Sequence, residues 1–356
     1  MKPRVVILSA FLTPYRSGAE ACAEEVPALL TRDYDFIILT ARMNKSLPVH
    51  DQLGSIPVHR IGLGYSFDKW LFPFLAPLAV RQYKPKIVHA VLESFAGLAL
   101  VFCKRTVPKA KRILTCQSTN TTFLLGLMHQ SAHVVTVISS VLKERACELC
   151  RNDAILIPNG IRLKDIVQAC DGAKKIPGRI LFVGRLEPMK GVATLLDAFT
   201  AIASKFPKAE LHIVGRGSLR AMLEGRYPEL VKNGRIIFRG YLPPLSVYGE
   251  YAIAPIFCAL SRSEALGNVF LESQAAGCAV IATNVGGIPD IVKQNETGLL
   301  VPSGDEAAAA DALTRLLSEP KLAQEFGKAG MVHAKKYDWG VIAKKYGEVY
   351  EGISKH

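Results

Sequence analysis

The stretch Ser263-Glu264-Ala265-Leu266-Gly267-Asn268-Val269-Phe270-Leu271-Glu272 decides the reading of this chain. It follows an apolar run, Ala254 to Leu260, and runs into Ser273-Gln274-Ala275-Ala276-Gly277. The order is a buried strand, a turn holding one carboxylate, a glycine, a helix start, and a second carboxylate about one turn inside. Leu266, Gly267 and Asn268 end the loop and cap the helix. The first amides of a helix lack intrahelical partners and favour an anion, so those from Leu266 to Val269 are candidate phosphate contacts. Glu264 stands before these amides, where it can accept bonds from hydroxyls, and Glu272 stands where it can meet a diol such as a ribose. Phosphate at the amides with hydroxyls on both sides is the layout of a nucleotide-sugar. The plainer alternative is two ordinary acids favoured by the helix dipole.

Working outward, short apolar runs alternate with helical segments. Val5–Ser9, Phe36–Thr40, Ile87–Ala90, Ile113–Cys116 and Val134–Ile138 read as buried strands, with helices such as Glu20–Leu30 and Ser140–Leu149. A second series has strands at Ile180–Val183, Glu210–Val214, Ile236–Phe238, Ile256–Leu260, Ala279–Thr283 and Leu299–Val301. Its helices are Val192–Lys205, Leu219–Glu224, Asn268–Ala276 and Glu306–Leu317. Such alternation predicts an α/β chain with parallel sheets covered on both faces. Pro158-Asn159-Gly160 and the polar run to Pro177-Gly178 read as a linker. The expected domains are 1–165 and 166–337, with a final helix over 338–356. Two doubly wound domains would leave a cleft at the carboxyl ends of their strands.

Other turns of the second series suit phosphate as well. Gly184 closes a strand, Arg185 and Lys190 flank the turn, and Gly191 opens the next helix. A guanidinium and an ammonium there suit a diphosphate, although two solvated cations would look the same. The turn lacks the G-x-x-x-x-G-K-[ST] pattern of a P-loop. Gly215 and Gly217 allow close backbone approach, but the third glycine and the acid of a dinucleotide fingerprint are missing. The glycines of Asn284-Val285-Gly286-Gly287 need only permit a turn.

The 356 residues carry a formal charge of +13 and are 49% hydrophobic, as expected of a soluble globular protein with room for two cores. The first 170 residues hold 21 Lys and Arg against 12 Asp and Glu, so +9 of the excess lies there. Such a field attracts nucleotides, nucleic acid or anionic lipid, or is only a solvated basic face. Of eight cysteines, Cys147 and Cys150 form a C-x-x-C pair, but no second pair stands at zinc-like spacing, so no metal site is expected. Val5–Ala10 is too short for a signal peptide, and no apolar run approaches the ~20 residues that cross a bilayer. A cytoplasmic protein with reduced thiols is expected.

The set VGRLEPMKG (Val183–Gly191), SRSEALGNVFLESQAAGCAVIATNVGGIPDIV (Ser261–Val292) and GLLVPSGD (Gly298–Asp305) resembles the retaining glycosyltransferases of family 4, which have the GT-B fold. IPNGI (Ile157–Ile161) and SGAE (Ser17–Glu20) extend the similarity to nearly the whole chain. The resemblance implies two Rossmann-like domains facing each other across a cleft, with the last helix crossing back to the first. It implies that Arg185 and Lys190 bind a donor diphosphate, Glu264 the sugar hydroxyls and Glu272 the ribose, with Gly184, Gly215, Leu266, Gly267, Asn268 and Val269 near the donor. Gly18 would lie in a first-domain loop that touches donor or acceptor. A UDP- or GDP-sugar is the implied donor, with no tightly bound metal or cofactor.

One departure concerns the first domain. Where many relatives have a histidine in a T-x-H-G-like stretch, this chain has Thr115-Cys116-Gln117-Ser118. Gln117 cannot titrate, so the expected mechanism has the leaving phosphate oxygen take the acceptor proton. Gln117, Ser118 and His89 are the residues expected on the acceptor side, although a strand-end histidine such as His89 also suits a purely structural place. Tyr65 to Leu75 carries five aromatics and is followed by Arg81, Lys84 and Lys86. That pattern suits an anionic membrane surface and a lipid-linked or glycan acceptor, or else a buried core helix. The alternatives on the same fold are a nucleotide-sugar epimerase or a phosphorylase, the latter needing pyridoxal bound to a lysine. A basic nucleic-acid-binding protein is supported by charge alone, so nucleic acid is not expected as a partner.

Overall fold

The computed structural model describes residues 2–16, 18–120 and 124–355; Ser17 of the SGAE stretch lies outside them. The chain divides into two compact units, Met1–Gly160 with Trp339–His356, and Ile161–Asp338. Each is an α/β unit built on one sheet.

The first unit contains β1 (Arg4–Leu8), β2 (Asp35–Ala41), β3 (His50–Leu53), β4 (Ile56–Ile61), β5 (Ile87–Val91), β6 (Lys111–Cys116), β7 (Val134–Val137) and β8 (Ile155–Leu156). They pair in the order β3-β4-β2-β1-β5-β6-β7-β8, parallel throughout except for the antiparallel pair β3–β4. Val5, Val6, Ile7 and Leu8 are all buried. Such unbroken apolar strands are what a sheet covered on both faces demands. The polar segment His50-Asp51-Gln52-Leu53 gave no strand signal because it lies at the sheet edge, where only one neighbour is needed.

The second unit contains β9 (Arg179–Val183), β10 (Glu210–Val214), β11 (Ile236–Gly240), β12 (Ile256–Ala259), β13 (Ala279–Thr283) and β14 (Gly298–Val301). Their order is β11-β10-β9-β12-β13-β14, all parallel. The winding reverses between β9 and β12, which are neighbours in the sheet but not in sequence. Carboxyl ends at such a reversal are where doubly wound sheets bind ligands. In the first unit the reversal falls between β1 and β5.

The last helix, Trp339–Lys355, belongs to the first unit. Its buried stripe is Trp339, Ile342, Ala343, Tyr346, Tyr350 and Ile353, at helical spacing, and it joins the core made with Val5, Ile7 and Phe36. The rings of Tyr34, Phe36 and Tyr350 meet edge-on or tilted.

The aromatic segment forms the helix Asp68–Tyr83, which carries Pro73 and Pro77. A core helix is one of the two readings of this segment, and it forms despite two internal prolines that each remove a backbone donor. Phe72, Ala76 and Val80 are fully buried against the unit, whereas Trp70, Phe74 and Leu78 are 63%, 56% and 58% exposed. The segment is therefore a core helix on one side and an exposed apolar ridge on the other.

Because Ile342 fills the seam beneath the last helix, Ile342→Ala should cost about 2–5 kcal/mol, read as a lower urea midpoint for the first unit.

Candidate active site

In the second unit the loops after β9, β12 and β13 converge at the carboxyl edge of the sheet. The loop after β9 makes a short 3₁₀ turn, Pro188–Lys190, and ends at Gly191 in the left-handed region. A side chain at Gly191 would overlap the Leu260 carbonyl oxygen at the end of β12. Arg262 N donates to Met189 O at 2.8 Å, which seals the contact. On the far side, Gly286 also has a positive φ, and a β-carbon there would overlap the Glu264 carbonyl oxygen. Gly287 N donates to that oxygen at 3.1 Å. The turn holding Glu264 is thus clamped by backbone from both neighbouring loops.

This clamp aims Lys190 at Glu264, and their side chains form an ion pair that is about one-fifth exposed on each side. Glu264 and Lys190 are brought together, as the reading of a single site requires. Gly267 follows in a left-handed conformation and is itself the N-cap of the helix Asn268–Ala275. Asn268 is the first helical residue rather than the cap, and no side chain caps this end. Val269 and Asn268 are half-buried, whereas Leu266 is buried and contributes packing. Glu272, one turn in, is half-buried, and the buried Tyr251 hydroxyl donates to it at 3.4 Å.

Gly184 continues the ladder at the end of β9, its N–H donating to Val214 O at 3.0 Å. Arg185 is exposed and makes no hydrogen bond or ion pair among the described residues. Gly215 allows the close backbone approach its sequence suggested, here of the neighbouring loop, since a side chain there would overlap the Gly184 carbonyl oxygen. Glu187 ties the same two loops, accepting from Ser218 N at 2.9 Å and Ser218 Oγ at 2.7 Å. Those bonds, then the Arg185 charge, hold the Glu187 carboxyl below its ordinary range.

In the first unit the expected acceptor-side residues separate. His89 is 1% exposed, and both ring nitrogens are engaged, Nδ1 with the Tyr350 hydroxyl at 2.7 Å and Nε2 with Thr115 Oγ1 at 2.7 Å. Burial lowers its pKa to about 3. His89 is therefore a neutral core histidine, which corrects its place among the acceptor-side residues. Gln117 is also buried, and its amide is consumed in a reciprocal pair with Asn159: Nε2 donates at 3.0 Å and Oε1 accepts at 2.7 Å. It faces Asn159 of the IPNGI motif, not solvent. Ser118 is half-buried, and its Oγ accepts from Asn120 N at 3.1 Å.

The residue that sequence reasoning missed is Glu93, after β5. Its carboxylate accepts from Gln117 N at 2.7 Å and Ser118 N at 3.4 Å and pairs with Arg145. Burial raises its pKa, opposed by the Gln117 amide, by its own backbone amide and by Arg145. A lone acid in a basic stretch gave no hint of three partners distant in sequence. Gly18 is exposed in the loop after β1, which Glu24 holds by accepting from Thr13 N at 2.9 Å and Thr13 Oγ1 at 2.8 Å, and by pairing with Arg16 at 2.9 Å.

Residues 171–332 match the family model described as glycosyl transferases group 1. Over 272 residues the chain is 30% identical to the phosphatidyl-myo-inositol mannosyltransferase of Mycobacterium tuberculosis, a match spanning 73% of this chain and 71% of that one. The chain therefore belongs to the group 1 glycosyltransferase family. Its fold is that of GT-B structures. Sucrose-phosphate synthase from Thermosynechococcus elongatus matches with a TM-score of 0.81 at 21% identity, covering 99% of each chain. HepE of Anabaena, solved with UDP and glucose, matches with a TM-score of 0.77 at 16% identity, covering 98% of this chain and 99% of that one.

The His89 environment has a pH signature. Its pKa is about 3 when folded against an ordinary value of 6.5, so the unfolded chain binds the extra proton. This contribution is complete above pH 6.5 and is lost as pH falls toward 3. Urea midpoints measured from pH 7 down to 4 should decline, and His89→Gln should flatten that slope.

Proposed function

We propose that this protein is a retaining glycosyltransferase that moves a hexose-type sugar from a UDP- or GDP-sugar to an acceptor hydroxyl. The observation that carries this reading is the Lys190–Glu264 pair, clamped at the strand-order reversal beside a helix start with no side-chain cap. Lys190 and the exposed Arg185 would take the diphosphate and offset the charge that builds on it as the glycosidic bond breaks. The amides from Leu266 to Val269 would meet the same phosphates. Glu264 would accept from hydroxyls of the sugar, and Glu272 from those of the ribose.

Gln117 is occupied by Asn159 and His89 is buried, so neither is placed to remove a proton from the acceptor. This supports a mechanism in which the leaving phosphate oxygen takes that proton on the face where the new bond forms, and the anomeric configuration is kept. No step in it requires a metal or a resident cofactor. The complexes of HepE support a nucleotide-sugar donor.

The acceptor we propose is lipid-linked or otherwise amphipathic, met at the cytoplasmic face of an anionic membrane. The name of the Mycobacterium tuberculosis relative joins mannosyl transfer to a phosphatidyl-inositol, which supports both a hexose and a lipid. The exposed ridge of Trp70, Phe74 and Leu78, followed by Arg81, Lys84 and Lys86, supports a peripheral contact, with rings at headgroup depth and cations on anionic lipid. No described helix is long and apolar enough to cross a membrane.

Glu264→Ala and Lys190→Ala should each lower kcat/KM about 100-fold or more with the fold intact by circular dichroism. Proton NMR of the product should show the donor's anomeric configuration; inversion would overturn the mechanism. In flotation with phosphatidylserine-containing vesicles at low salt, the protein should rise with the lipid, and Trp70→Ser with Phe74→Ser should leave it at the bottom. Failure of the unsubstituted protein to float ends the membrane proposal.

A further inference from the structure

The second unit contains a cavity of about 830 Å³ that the proposed reaction does not use. Gly178, Ala209, Pro255 and Gly277 line it, each just before β9, β10, β12 or β13. It therefore opens at the amino ends of the strands, whereas the Lys190–Glu264 loops stand at their carboxyl ends. Strands of four or five residues put roughly 13–17 Å between the two edges. Its volume lies within the range of small-molecule pockets.

The lining has two characters. The apolar part includes Phe206, Ile256, Leu316, Ala323 and the partly exposed Met331. Its charged residues are Lys175, Lys205, Lys208, Lys321 and Lys328, and no Asp or Glu lines it. Asp171, Glu210, Glu319 and Glu325 lie near lining residues in sequence but outside the lining. Lys175 is committed to the fold: its ammonium donates to the carbonyls of Tyr251, Ala254 and Ala276 at 2.9, 2.9 and 2.8 Å. Lys205 lies over the Phe206 ring at 5.6 Å. The side chains of Lys208, Lys321 and Lys328 are exposed and make no hydrogen bond or ion pair among the described residues.

We propose that this cavity binds an anionic amphiphile, with an acyl chain on the apolar lining and an acidic head at Lys208, Lys321 and Lys328. Charge complementarity selects this occupant. A second copy of the chain would bring a further net charge of +13 against the same lysines. Free phosphate would leave the apolar lining wet, and a neutral hydrocarbon would leave the lysines without a counter-charge. The inference does not rest on the transfer reaction, and donor binding serves as a separate reading of the other site.

The test is a fluorescence titration of the full chain with dansylaminoundecanoate. A saturable one-to-one enhancement is expected, displaced by dodecanoate and not by millimolar inorganic phosphate. The methyl ester of the probe should bind about tenfold more weakly, as should the chain with Lys208→Glu, Lys321→Glu and Lys328→Glu combined. Gln324→Trp, at an exposed lining position, should also weaken binding by filling the space. Circular dichroism, and an unchanged thermal shift with nucleotide-sugars, would show that each variant is folded. The proposal is overturned by no saturable binding, by equal binding of ester and acid, by displacement with phosphate, or by affinity that ignores all four substitutions. A dimer by sedimentation that dissociates on Gln324→Trp would assign the groove to a second copy instead.

Discussion

Backbone-to-backbone contact between three loops is the constraint on which the candidate site depends. The turns after β9, β12 and β13 approach so closely that Gly191 and Gly286 cannot carry side chains. The carbonyls of Leu260 and Glu264 occupy the space where β-carbons would stand. Contacts so close fix the relative positions of these loops and of the charged groups they carry. Lys190 and Glu264 are 74 residues apart, yet they meet as an ion pair because the parallel sheet brings β9 beside β12. Preorganised charge of this kind is what stabilises a developing anion without reorganisation during the reaction.

The first unit shows the opposite use of polar groups. His89, Thr115, Thr136 and Tyr350 form a buried network in which each member satisfies another, Thr115 Oγ1 and Thr136 Oγ1 being 2.7 Å apart. Glu93, Arg145, Gln117 and Asn159 form a second one at the ends of β5 and β6. Buried polar groups are costly alone, so partners such as these hold the loops after β5 and β6 in place, although Arg145 Nε is buried without a partner among the described residues. A glutamine or histidine close to a reactive place in sequence can thus be spent on architecture.

The exposed ridge on Asp68–Tyr83 and the lysine-rimmed cavity of the second unit share a character: apolar surface beside uncompensated positive charge. Each is a separate patch on its own unit. Together they account for part of the basic excess of the chain.

The sequence alone determined the alternation of strands and helices, because fully buried parallel strands must be continuous apolar runs, and Val5–Leu8 and Ala279–Thr283 could be little else. It also marked the turn around Gly267, since a carboxylate, a glycine and a helix start in that order are local features. It did not show β3 at the sheet edge, where local signals oppose the final structure, and for the aromatic segment it left a core helix and a membrane-facing surface as alternatives, of which the helix Asp68–Tyr83 buries one side and exposes the other. Only the tertiary structure decided what Gln117, His89 and Glu93 touch. Their partners Asn159, Tyr350 and Arg145 lie 42, 261 and 52 residues away, and no local pattern encodes a hydrogen bond over such a separation. Spacing along the chain sets which elements form; the packing of those elements sets whether a polar side chain faces a substrate or the core.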